Sequence, residues 1–507
     1  MRFPIPFGIL GSLLFSTAVL AQPTAKVKPK NPANTLPEFS LSRAEAEAHM
    51  RFLASDELQG RRTGDPGNLV AARYLAEQFR LLGVKPAPGQ STYFQMVPMQ
   101  RYLAPSPGFV LVGRDTLRQG TQFVSVSPTK GELAGQTVYV GYGLADGPEG
   151  YNGRDVKGKI VVAQVGSPDA ASGGALLAAS QQKRKLAAEK GAIALVELYT
   201  QASYPWQFLT RYLSGEQTVL TPPSEGPGLP HIWVDNGKNQ LSSLKDADQT
   251  VTFRTSGRPR TDLQTMNVVG MIEGTDPALK NEFVLMSAHY DHVGVGKQGG
   301  QPYTPADSIF NGARDNAIGT VGLLMAARAL KAQPPKRSVL LVAYTGEELG
   351  LLGSKYYAEH PLVPLGQTIF NLNVDAAGYN DTSVVSVIGL DRTGAKAELE
   401  AAAKAFGMGV VGDPSPEQGL FDRSDNVSLA AKGVPAPTFT PGFRKFDESL
   451  ARYYHQVADG PDTIDYGYLL KFCQAYAHAA RLIGNRPSRP QWIAGDKYEA
   501  AGKALYK

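Results

Sequence analysis

Imidazoles and carboxylates recur in five short strings in the second half of this chain, and their types suit a divalent metal. The strings are Ser287-Ala288-His289-Tyr290-Asp291-His292, Asn311-Gly312-Ala313-Arg314-Asp315-Asn316, Glu347-Glu348, Asp375, and Tyr453-Tyr454-His455-Gln456-Val457-Ala458-Asp459. Imidazole nitrogen and carboxylate oxygen are good donors to zinc. Two histidines and three carboxylates (His289, Asp315, Glu348, Asp375 and His455) would serve a pair of ions that share one carboxylate. In Glu347-Glu348 one carboxylate can ligate while its neighbour acts as general base on water. Asp291, two residues beyond His289, can accept the other imidazole proton and fix the ring's tautomer.

Each string alone has an ordinary reading as well. A Glu-Glu pair at a helix start is a solvated first turn favoured by the helix dipole. Asp315 is then a helix cap, Asp375 a turn residue before Gly378, and His455 a packing residue. Their joint occurrence favours a metal site, because all fall beside expected strand ends or in adjoining loops. Sites in open α/β sheets form outside the carboxyl ends of the strands.

The elements that must position these groups follow from periodicity. Strands are expected over 267–272, 283–288, 338–344 and 368–374, and helices over 317–331, 349–359, 394–405 and 466–482. This alternation predicts an α/β fold with three layers, α/β/α, around a mixed, mostly parallel sheet. Helices are also expected over 42–53 and 68–82, the second stopped by Gly83. The stretch 121–260 differs: short strands over 137–140, 159–164 and 192–198, a helix over 183–190, and turns at Tyr142-Gly143, Asn152-Gly153 and Lys157-Gly158. It reads as a β-rich insert whose one histidine, His231, is structural. The expected organisation is a leader over 1–21, a flexible lead-in over 22–40, a first part of the main domain over 41–120, and the insert over 121–260. The second part follows over 261–487 and a surface tail over 488–507.

At 507 residues the chain is too long for one ordinary core. Hydrophobic residues at 42% and charged residues at 19% argue against a disordered or membrane-embedded chain. The net charge of +5 comes without a dense Lys/Arg block, so no nucleic-acid partner is expected. Arg2 precedes an apolar run over 7–20 that ends in Val19-Leu20-Ala21, the pattern of a secretory signal cut near Ala21. A secreted or periplasmic protein is expected, without stable membrane insertion. Cys473 is the single cysteine, so no intrachain disulfide can form, and its helical apolar context reads as a buried small hydrophobe.

The strings resemble the secreted di-zinc aminopeptidases of clan MH. The likeness spans roughly residues 44–485, through 287–291, 312–319, 347–353, 373–378, Arg423-Ser424-Asp425 with 433–436, and 454–459, with 53–61 and 93–95 near the start. The resemblance implies two zinc ions. His289 and Asp375 would hold one, Glu348 and His455 the other, with Asp315 as bridge. It further implies Glu347 as general base, Asp291 behind His289, Tyr454 near the tetrahedral oxyanion, and a cis bond at Asp315-Asn316. Residues 155–160 and 191–193 make the insert similar to a protease-associated domain, which would wall the cleft and limit substrate size. Peptides with a free amino terminus are the implied substrates, recognised by Glu347 and Asp375, with Arg423 on the substrate backbone. Arg314 stands where an acidic residue is common, Asn426 where histidine is frequent, and Ser428 where phenylalanine is. His292 is expected to be structural or rim-lining. A glutaminyl cyclase-like acyltransferase, a carboxypeptidase or a non-catalytic receptor-like protein of the same fold are the alternatives, and the oligomeric state is open.

Overall fold

Apolar runs such as Phe283-Val284-Leu285-Met286 have no polar face, so both sides of their strand must be covered. The computed structural model does this with helices on each side. It describes residues 35–507 except 128, 146–149, 169–172, 201–203, 223–227, 239–240 and 246–248; the leader and the lead-in to residue 34 lie outside the described residues.

A nine-stranded sheet runs in the order Lys85–Pro86, Met266–Ile272, Ser338–Tyr344, Phe283–His289, Thr368–Val374, Thr438–Pro441, Val384–Ile388 and Gly409–Val411, with Phe94–Met96 also on Met266–Ile272. The four consecutive strands from Ser338–Tyr344 to Thr438–Pro441 are parallel, while Met266–Ile272 and Val384–Ile388 join them antiparallel. Parallel pairing is thus confined to the middle and one edge pair, less extensive than expected.

Alternation along the strands divides the core. Val284, Met286 and Ala288 pack with Arg43–Leu53, Pro66–Leu81, Ile318–Ala332, Lys396–Ala405 and Tyr466–Gly484, while Phe283, Leu285, Leu340 and Val342 pack with Leu352–Glu359 and Asn426–Ala430. Each fully buried Val, Leu or Phe contributes about 1.5–3 kcal/mol to this three-layer arrangement. Cys473 lies buried in the first of these cores.

The expected strands and helices occupy nearly their predicted residues, with Thr368–Val374 and Ser338–Tyr344 unchanged. Three differences stand out. The helix expected over 183–190 begins earlier, as Gly173–Glu189. Pro37–Ser40, counted with the flexible lead-in, is a turn whose Glu38 is buried against His478 and Arg481. The tail holds a helix, Glu499–Leu505, and buries Trp492.

A second, eight-stranded sheet draws its strands from Phe109–Val112 to Thr250–Thr255 and carries the helices Gly173–Glu189 and Trp206–Ser214. Its apolar cores are separate from those of the first sheet. A three-stranded sheet of Gln217–Leu220, Met99–Tyr102 and Arg260–Leu263 links the two.

Candidate metal centre

Parallel strands that end side by side bring their following residues to one edge. His289 is the last residue of its strand, Asp375 follows Val374, and Glu347-Glu348 follow Tyr344 by three and four residues. Asp315 comes from the turn before Ile318–Ala332, and His455 from a loop where its backbone is left-handed at φ 52°.

The geometry around Asp315 is two-sided. Its Oδ1 lies 3.4 Å from His289 Nε2, and its Oδ2 lies 3.1 Å from His455 Nε2. His289 Nε2 is also 3.4 Å from Asp375 Oδ1, and His455 Nε2 is 3.1 Å from Glu348 Oε2. Two groups of donors able to hold a metal therefore share Asp315: one with His289 and Asp375, the other with Glu348, His455 and His292. The donor set, nitrogen and carboxylate oxygen without thiolate, fits zinc. Glu347 approaches His289 to 4.0 Å.

Burial makes the mutual charges matter. Burial alone would raise Asp315, but its contacts with His289 and His455 override this and hold it well below the usual carboxylate range. Burial would lower His455, yet Asp315 and Glu348 push it up to about 11. Glu348 is lowered to about 2, because His292 and His455 outweigh burial and the charge of Asp315. Glu347 goes the other way: burial, then the charges of Asp375, Glu348 and Asp425, raise it well above the usual range against the pull of His289. The two adjacent glutamates thus sit in opposite environments.

The surrounding contacts fix these groups. Asn316 Nδ2 donates to Val374 O at 2.9 Å, and Thr320 Oγ1 donates to His289 O at 3.1 Å. The Asp459 carboxylate accepts the backbone N–H of Arg314 at 3.0 Å and of Asp315 at 3.2 Å. Burial raises this carboxyl to about 6. Arg61, buried, donates to the backbone carbonyls of Tyr290 at 2.9 Å and Gly312 at 3.0 Å, tying two of the strings together. The Asp315-Asn316 bond is cis.

One expectation needs correction and another is narrowed. The expected bond from His289 Nδ1 to the Asp291 carboxylate is replaced by contact with the Asp291 backbone carbonyl at 3.3 Å; the carboxylate stands 3.7 Å away. Asp291 turns its carboxylate to Thr63 Oγ1 at 2.8 Å and to the N–H of Glu347 at 3.2 Å. Of the two places expected for His292, structural or rim-lining, the structure gives the buried one, with Nδ1 2.8 Å from Glu348 Oε1. The roles of Arg61, Thr63 and Asp459 escape strand-end reasoning, since each acts across a long sequence distance. The motif strings that contain Arg61 and Asp459 were the only signal. Asn426 donates to the carbonyls of Phe421 and Ala436, both at 3.2 Å, and Ser428 contacts Ser354 at 2.9 Å.

A cleft opens over Asp315, Glu347, Glu348, Asp375 and His455. Tyr454 and Arg423 line it, and Ile388, Leu420, Phe443 and Phe446 form an apolar wall. Tyr454 stacks on His455 at 4.2 Å, and burial with the nearby carboxylates raises its phenol.

Residues 267–480 match the model of Peptidase family M28. The chain is 28% identical over 209 residues to Aminopeptidase YwaD of Bacillus subtilis (strain 168), covering 40% of this chain and 41% of that protein. It is 31% identical over 273 residues to probable leucine aminopeptidase 2 of Aspergillus oryzae (strain ATCC 42149 / RIB 40), covering 48% and 51%. The matches span about half the length of these curated relatives. The solved structure of an aminopeptidase from Aneurinibacillus sp. strain AM-1 superposes with a TM-score of 0.55 at 21% identity, covering 92% of this chain and 98% of that one, which shows a shared fold.

Proposed function

We propose, from the match of residues 267–480 to Peptidase family M28, that this protein is a two-zinc aminopeptidase acting on peptides with a free amino terminus. The observation that carries the reading is the two-sided Asp315, whose oxygens face the imidazoles of two separate donor groups. In this reading His289 and Asp375 would hold one ion, Glu348 and His455 the other, and Asp315 would be common to both. Bound zinc supplies Lewis acidity to the scissile carbonyl and to the attacking water.

The chain's own groups do the rest. In this reading Glu347, beside the donors, takes the proton of the water and passes it to the leaving amine. Thr63 and Asp291 orient its backbone, through the bonds to Asp291 and from it to the Glu347 N–H. Glu347 and Asp375 offer negative charge to the substrate's ammonium. Tyr454 faces the cleft where a hydroxyl can donate to the developing oxyanion, and Arg423 contacts the substrate backbone. The wall of Ile388, Leu420, Phe443 and Phe446 suits an apolar first side chain. The eight-stranded sheet acts as a protease-associated insert that walls the cleft, and the leader over 1–21 directs export.

The test is Glu347→Gln, with zinc content and turnover measured on free, amino-blocked and carboxyl-terminal substrates. The expected outcome is a kcat lowered by about 10²–10⁴-fold, unchanged zinc, and wild-type cleavage restricted to substrates with a free amino terminus. Normal turnover by the variant would sink the assignment of the base; cleavage of blocked peptides would sink the exopeptidase reading.

A further inference from the structure

Three loops meet at the metal centre, and the side chain of Arg314 joins them. Arg314 directly precedes Asp315. Its guanidinium carbon lies 3.9 Å from the ring centroid of Tyr453 and 4.4 Å from that of Tyr379. Its Nη2 donates to the carbonyl of Thr463 at 2.9 Å. Gly378, at φ +118°, leaves its loop against the arginine stem: a Cβ there would stand 3.5 Å from Arg314 Cδ. Tyr379 is four residues beyond Asp375, and Tyr453 is two residues before His455. Asp375 belongs to the donor group of His289, whereas His455 belongs to that of Glu348. One planar cation thus spans the loops of both groups.

We propose that Arg314 is a positioning residue that braces the two halves of the metal centre, setting the His455 loop against the Asp375 loop; the proposal rests on the two-zinc reading above. A guanidinium can stack on two rings and still donate in its own plane to Thr463. A lysine ammonium keeps the charge but has no plane to stack and no fork to share. The backbone of the Asp315 turn is held by Asp459, which accepts the N–H groups of Arg314 and Asp315; the same carboxylate lies 3.9 Å from Arg314 Nε, a charge contact that an ammonium can also make. Replacing the guanidinium by an ammonium therefore frees the His455 loop while the backbone bonds of the bridging turn to Asp459 remain.

The experiment compares the zinc-loaded full chain with Arg314→Lys, Tyr453→Ala, Tyr453→Phe and the double variant Arg314→Lys/Tyr453→Ala. Zinc retained per chain is followed against a chelator of known affinity. A desolvated cation–π contact supports an expected loss of about tenfold in affinity for one ion in Arg314→Lys, with the other ion unchanged. Tyr453→Ala shows the same loss, the double variant loses no more than either single one, and Tyr453→Phe keeps wild-type affinity. Should Arg314→Lys fail to fold, Tyr453→Ala and Tyr453→Phe carry the same comparison. Unchanged retention of both ions, or equal weakening of both, overturns the brace. A wild-type chain that binds two zinc ions and cleaves peptides in that case leaves the function standing; a wild type that binds none removes the function itself.

Discussion

His292 Nδ1 stands 2.8 Å from one oxygen of Glu348, while His455 Nε2 stands 3.1 Å from the other. The carboxylate is therefore oriented from both sides, and His292 must carry its proton on Nδ1 to donate. Groups that orient a metal-binding carboxylate are worth about 10–100-fold in metal affinity. His292→Leu leaves one buried Glu348 oxygen without that donor, and zinc retention against a chelator is expected to fall by about that factor. Wild-type retention in this variant would reduce His292 to a space-filling ring.

The turn Pro37–Ser40 shows how an element can depend on one buried carboxylate. Glu38 accepts from Arg481 Nε at 2.8 Å and Nη2 at 2.9 Å, and lies 2.7 Å from His478 Nδ1. Burial alone would raise Glu38, but these partners hold it below its ordinary value of 4.5. A carboxylate depressed in the folded state contributes stability that is present above its unfolded pKa and is lost as pH falls through the folded one. The wild-type Tm is thus expected to fall on acidification below about pH 4.5. Glu38→Gln should melt lower at neutral pH and show a shallower acid slope. Parallel Tm-against-pH curves for the two proteins would contradict this account.

Separate cores give the whole molecule two sources of stability. On the eight-stranded sheet, Lys183 Nζ of the helix Gly173–Glu189 meets Glu197 Oε2 at 2.6 Å, and His231 Nε2 meets Glu197 Oε1 at 2.7 Å. All three side chains are buried, so His231 is structural as its isolation implied. Removing one partner from such a pair costs about 3–5 kcal/mol, because the other charge stays buried. Lys183→Met should therefore lower the denaturant midpoint of this unit while zinc content stays at the wild-type level. Loss of zinc together with the insert would show that the two cores unfold as one. Among the described residues no helix is long and apolar enough to cross a membrane.

Strand-end logic made much of the candidate site legible in the sequence. Parallel strands with unbroken apolar runs leave their carboxyl ends as the place where His289, Glu347, Glu348 and Asp375 emerge, and periodicity locates those ends within a residue or two. The α/β class followed from the same alternation. What required tertiary structure were contacts between residues from 56 to about 250 positions apart. Thr63 reaches Asp291, Arg61 ties Tyr290 to Gly312, and His292 turns inward to Glu348. The lengths of the antiparallel flanks and the helix within the tail were likewise beyond local pattern. Periodicity reports which face of an element is buried; it carries no information on which distant loop packs there. Arg314 illustrates the limit: an unexpected cation beside Asp315 in the sequence, it is given a place by Tyr379 and Tyr453 in the fold.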